Sequence, residues 1–382
     1  MQSPRPKVKR YDSFNGLRGY AAIGILLMHY LANINSDTIN ILKNDAPMLY
    51  GEIIPFFTMF VYMFFTVSAF SMCCGYFDKF KMKKIGDEEH VNLYSGFDTE
   101  KFYSKRYTRI WPFFALLVCI DVIMKPSLSE LYQAFADLTL AFNLLPNPDI
   151  SVIGVGWFLG VVFLFYMIFP WFAFLLQNKK RAWLAFAVSI LFHVILVRYF
   201  LTSEFCTASQ ISNFRHNIIF SFPFFVAGGL LYLYRQYVAG LFETTLSRLA
   251  LLSVSLGITG VYFTPYCPEP FGESILWVGI IFVFWVMYAI SGGIAIKGFK
   301  LLDNKMASFL GALSMEIYLC HMVMFRIIEK IHLEKYLHNA HLLYWVTCAL
   351  GILLAIVFSF VVTKMIFPKC GKLIEACKSI SK

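Results

Sequence analysis

Charged side chains are scarce in this 382-residue sequence, at 15% of the chain, against about 25% in soluble domains. That shortage excludes an ordinary soluble globule, because too few polar groups remain to cover its surface. Metal-binding patterns are missing as well: the nine cysteines form no CxxC pair and no zinc spacing. There is no internal repeat, no low-complexity tract and no linker to a second domain. No small-x-small cleavage site follows the first apolar run, which therefore reads as a retained segment rather than a removed leader. What fills the chain instead is apolar: 59% hydrophobic residues, 41 of them phenylalanine, with a mean hydropathy of +0.65. The fold class expected is all-α, a polytopic bundle of membrane-spanning helices.

The apolar runs give about ten spans, near 14–34, 52–76, 110–124, 152–176, 182–201, 217–234, 249–263, 274–292, 306–328 and 342–366. They form one transmembrane domain, 14–366, between a basic segment at 1–13 and a basic tail at 367–382 that is too short to fold alone. Segment 131–145 holds Gln133, Asp137 and Asn143, so it is expected at the outer surface rather than across the membrane. Charge supports this layout. With the N-terminus inside, the inner segments hold 25 Lys and Arg and the outer ones 5, while Arg18, Arg198 and Arg326 lie within spans and complete the 33. Such asymmetry puts both termini in the cytoplasm; the location expected for this multi-pass chain is the plasma membrane. The net charge of +10 follows from topology and attraction to anionic lipid, with no reason to invoke nucleic acid. Cys73, Cys74, Cys119, Cys320 and Cys348 fall in spans as small hydrophobes. Cys206 and Cys267, at the outer ends of spans five and seven, either pair or stay as ordinary thiols.

Two polar side chains interrupt the first span, FNGLRGYAAIGILLMHYLANI: Arg18 and His29. Eleven positions apart, they point the same way, roughly 16 Å apart along the helix. Inside a membrane such residues line a site or a wet cavity by default; otherwise Arg18 snorkels to headgroups and His29 is a packing hydrogen-bonder. His321 lies at a similar depth in span nine, with Tyr318 one turn before it and Glu316 on another face. It is either a partner for His29 or a packing residue. Ser68 in FFTVSAF offers a hydroxyl, or simply bonds back to its own helix. Arg106 and Arg109, one turn apart before span three, suit forked bonds to phosphate, or positive-inside anchoring with Trp111 as a belt residue. Trp157 opens span four among packing aromatics, while Asp121, His193 and Arg198 read as solvated helix ends.

Several of these segments, in order, resemble the membrane acyltransferase family 3, the polysaccharide O-acyltransferases: FNGLRGYAAIGILLMHY, FFTVSAF, RYTRIWPFF, WFLGVVFLFYMIFP and LSMEIYLCH, over residues 14–321. The resemblance implies an enzyme that transfers an acyl group, most simply acetyl, from cytoplasmic acyl-CoA to a hydroxyl of an envelope polysaccharide or sugar. It implies catalytic roles for His29, Arg18 and His321, and donor or substrate contacts from Arg106, Arg109, Ser68, Trp157 and Tyr318. His29 would serve as general base or acyl carrier, with no metal and no cofactor beyond the acyl-CoA donor. Three positions depart from the family pattern: Asn15 replaces Asp, Ala69 replaces Gly, and Val162 stands where many members carry Glu. An acid would then come from elsewhere, such as Glu316 or Asp121. The family's common extracytoplasmic hydrolase-like domain is also missing, which implies transfer completed within the membrane domain or through a separate extracytoplasmic partner. The other classes the sequence allows are a glycan or lipid transporter lined by Arg18 and His29, or a non-catalytic membrane partner; neither inverted repeats nor paired broken helices are visible.

Overall fold

In hydrocarbon a backbone can satisfy its N–H and C=O groups only within itself, and each of the ten apolar runs accordingly forms helix. The computed structural model describes residues 11–79, 82–85, 88–91, 97–124, 126–140, 142–144, 154–207, 210–211, 215–296 and 298–369. The chain begins with α1 (Ser13–Asn33) and α2 (Ser36–Asp45), the latter capped by Asn35, whose side chain accepts from the Thr38 N–H. A run from Met48 to Tyr76 follows, irregular around Pro55 and regular from α3 (Phe60–Tyr76) onward. Next come α4 (Thr99–Met124), α5 (Leu128–Leu138), α6 (Trp157–Leu176), α7 (Lys179–Ile195) and α8 (Ile218–Leu233). The remainder is α9 (Arg235–Leu241), α10 (Thr245–Tyr262), α11 (Ser274–Ile290), α12 (Lys305–Ala312), α13 (Ser314–Glu329) and α14 (Ala340–Phe360). Two short antiparallel strand pairs are also present, β1 (Met82–Ile85) with β2 (Glu88–Val91), and β3 (Ala295–Ile296) with β4 (Phe299–Lys300).

Six described helices are long and apolar enough to cross a membrane, or eight if each of two bent pairs counts as one span. The ten expected spans also include α1, whose Asn15, Arg18, His29 and Asn33 lower its hydropathy, and the 17-residue α11. The protein is thus an all-α, multi-pass membrane bundle. Large apolar side chains such as Trp183, Leu184 and Phe192 remain on its outside, as a lipid solvent permits.

α1 runs through the packed interior, between α12, α13, α14 and α3. Close approach is possible because small residues face it: a Cβ at Gly311 would overlap the Asn15 backbone, and one at Gly351 the Tyr30 ring. α3 and α8 meet in the same way, Gly228 lying against the Thr66 carbonyl and Ala69.

Three features differ from the sequence expectation. α4 starts at Thr99, so Arg106 and Arg109 lie within its body rather than ahead of it. α5 does not lie away at an outer surface: it returns along α4, until the Trp111 indole N–H donates to the Leu138 carbonyl at 2.9 Å. Its Leu128, Leu131, Tyr132 and Phe135 stay exposed while Ala134 and Asp137 face inward, a helical stripe suited to lipid. Trp111 thereby ties two helices rather than acting only as a belt residue. Last, the ninth span is broken, α12 and α13 meeting at 69°, with the Ser314 hydroxyl donating to the Gly311 carbonyl at 3.0 Å across the bend.

Candidate active site

The helical spacing of Arg106 and Arg109 on α4 turns both toward the face of α1 that carries Arg18. All three guanidiniums line one cavity of about 260 Å³, together with Ser68 and Ser71 of α3, Tyr166 of α6 and Tyr318 of α13. The bend before Ser314 is what aims Tyr318 there. Arg18 donates to the Ser71 hydroxyl at 2.8 Å. Arg106 lies over the rings of Tyr76, Phe102 and Tyr166 at 5.2–5.4 Å, and its Nε is buried without a partner. Val162 also lines this cavity, and no carboxylate does so among the described residues. Three guanidiniums in one cavity, with no carboxylate among its described lining residues, have the charge to accept a polyanion.

From this cavity an aromatic wall leads along α1 toward His29. Phe64, Phe158 and Tyr318 are mutual neighbours with ring centroids 5.0–6.3 Å apart. The Tyr318 hydroxyl is fixed by donating to the Val155 carbonyl at 3.0 Å, and its ring lies 5.8 Å from that of His321. The structure brings His29 and His321 together, their centroids 5.1 Å apart. His321 engages the Tyr318 carbonyl through Nδ1, leaving Nε2 buried and unpartnered. Tyr30, next to His29, donates to the His321 carbonyl at 2.9 Å and so clamps the two helices at this level.

A third imidazole joins them. His216, in the segment before α8, stacks on the Trp157 indole at 3.9 Å with the planes 9° apart. Burial pushes its pKa down to about 4, with the His29 ring as the second cause, so it is neutral at pH 7. Among the described residues no three His, Cys, Asp or Glu side chains are grouped to hold a metal ion. Chemically, the arrangement offers a cluster of guanidiniums at one end of α1 and a group of imidazoles at the other, joined by an apolar aromatic wall.

Of the polar residues read from sequence as solvated ends, Asp121 and His193 are instead buried in the fold, while Arg198 stays exposed. Asp121 is 3% exposed and ion-paired to Arg326 of α13, which removes it as a substitute acid. His193 is fully buried and bonds the Phe220 carbonyl at 2.9 Å. Arg198 donates twice to the Phe271 carbonyl. Glu316 is buried, with Oε2 unpartnered, and does not line the arginine cavity. Cys206 and Cys267 are both free thiols. Sequence reasoning missed Ser71, Tyr166 and His216; Ser71 alone had a signal, lying three residues after Ser68 on the same helical face.

The sequence matches the family model described as an acyltransferase domain over residues 11–364. No curated protein and no solved structure matches the chain significantly.

Proposed function

The chain belongs to acyltransferase family 3, and from that premise we propose that it transfers an acyl group, most simply acetyl, from cytoplasmic acyl-CoA to a sugar hydroxyl of an envelope polysaccharide at the plasma membrane. The observation that carries the donor assignment is the cavity lined by Arg18, Arg106 and Arg109 without a carboxylate, which suits the phosphates of a coenzyme A thioester. Ser68 adds a hydroxyl at that end. The thioester arm would lie along Phe64, Phe158 and Tyr318, toward the imidazoles. His29 would take the proton from the acceptor hydroxyl as its oxygen attacks the thioester carbonyl. The C–S bond then breaks and the coenzyme A sulfur leaves as thiolate. His321, with a free Nε2, would share that proton, while Trp157 holds His216 beside the pair. The alternative of an acyl-imidazole on His29 uses the same geometry. A separate extracytoplasmic partner would be needed only if the group travels beyond this site.

The test is coenzyme A binding to the protein in nanodiscs by calorimetry. Arg109→Gln should weaken it about tenfold, as expected for loss of one charge-assisted contact, and raised salt should weaken it further. Equal binding by wild type and Arg109→Gln would remove the donor from this cavity.

A further inference from the structure

A second cavity, of about 280 Å³, opens at the far end of α1, and its lining includes Asn33, Phe325, Glu329, His332, Glu334 and Thr347. Its position is set by the imidazole pair. Asn33 follows His29 by four residues on α1, and Phe325 follows His321 by four on α13, so the cavity begins about one turn, roughly 6 Å, beyond both rings. The same residues hold the imidazole-bearing turns. The Asn33 amide donates to the His29 carbonyl at 2.8 Å. The Phe325 ring packs on Tyr30 at 4.8 Å, and Tyr30 in turn holds the His321 carbonyl.

The lining is the chemical opposite of the arginine cavity. It carries two carboxylates, Glu329 and Glu334, and no Lys or Arg, although Lys330 and Lys335 belong to the same stretch of chain. His332 bonds Glu334 at 2.9 Å and sits at φ +55°, a left-handed conformation that costs a non-glycine residue energy and concentrates at sites that hold a side chain in place. Carboxylate and amide oxygens accept from hydroxyl groups, and the amide and imidazole N–H groups donate to them. The apolar side formed by Phe325 and Ile328 suits the C–H face of a sugar ring. A phosphorylated donor would be repelled here.

We propose that this cavity is the acceptor subsite and takes a neutral or amino sugar, one of whose hydroxyls is directed at the His29–His321 pair. The proposal rests on the transferase reading above. It is tested by saturation-transfer NMR on the protein in nanodiscs with the methyl glycosides of glucose, glucosamine and glucuronic acid, coenzyme A binding being measured on the same samples. The first two glycosides should receive saturation and the glucuronide should not. Glu329→Lys and Glu334→Lys should each weaken glycoside binding about tenfold with coenzyme A binding unchanged, which also shows that the variants are folded. Equal glycoside signals in wild type and variants, preference for the glucuronide, or coenzyme A binding without any glycoside would each overturn the subsite while leaving the transferase reading intact. Absence of coenzyme A binding in the wild type would overturn both.

Discussion

Replacing Gly351 by alanine should damage the site without touching it. The added Cβ would lie closer than 3.0 Å to the Tyr30 ring and hydroxyl, so the ring must move. It has little room: Tyr30 is fully buried, packs on Phe325, and its hydroxyl is committed to the His321 carbonyl at 2.9 Å. Overpacking of this kind costs about 1–3 kcal/mol, and loss of the buried hydrogen bond adds about 1 kcal/mol. The expected destabilisation is therefore roughly 2–4 kcal/mol, together with a fall in any activity that depends on the His29–His321 geometry. Apparent melting temperature in nanodiscs is the assay, with Gly257→Ala and Gly260→Ala as controls, since a Cβ at either meets nothing within 4 Å. Those two should be neutral or stabilising by up to about 1 kcal/mol each. Adding Tyr30→Phe to Gly351→Ala removes the clashing hydroxyl, so the pair should cost less than the sum of the single changes. A Gly351→Ala protein as stable as the controls would refute this packing of α1 against α14.

Two further outcomes follow from buried polar groups. Asp121→Ala strands Arg326, and the cost should be about 2–4 kcal/mol, below the ~3–5 of a fully buried pair because Arg326 is 30% exposed; adding Arg326→Met should restore most of it, and melting of the three variants checks this. His216 has its pKa lowered from 6.5 to about 4, so below pH 6.5 the unfolded chain binds a proton that the folded one refuses. Its contribution to stability is present above pH 6.5 and lost as pH falls toward 4. The melting temperature of His216→Gln should accordingly change less than wild type across that window, and parallel curves would contradict the assignment.

Arg18 and His29 were readable because polar side chains stand out in an apolar run, and their eleven-residue spacing alone sets a common face. The guanidiniums of Arg106 and Arg109 were readable as a pair, but their meeting with Arg18 depends on how α4 packs against α13 and α6, which no local spacing encodes. His216 was hidden because it lies in a connecting segment, where an imidazole is unremarkable until the Trp157 ring is found against it. Asp121 and Arg326 are 205 positions apart, so Asp121 looked like a solvated end and Arg326 stood only as a charge within a span. The break at Leu313 carries no proline; it reflects the contact of Gly311 with the Asn15 backbone and the Ser314–Gly311 bond, both tertiary events. Helix existence thus followed from composition, while the bend, the return of α5 along α4 and the assembled cavities came from packing between distant residues.

In the proposed reaction, acyl transfer runs through His29. Membranes holding wild type or His29→Ala at matched levels would receive acetyl-CoA labelled in the acetyl group, and label would be followed into alkali-labile esters of the glycan fraction. Label is expected in the wild type, with none above background in His29→Ala. Equal label in both would contradict it and take His29 out of the chemistry.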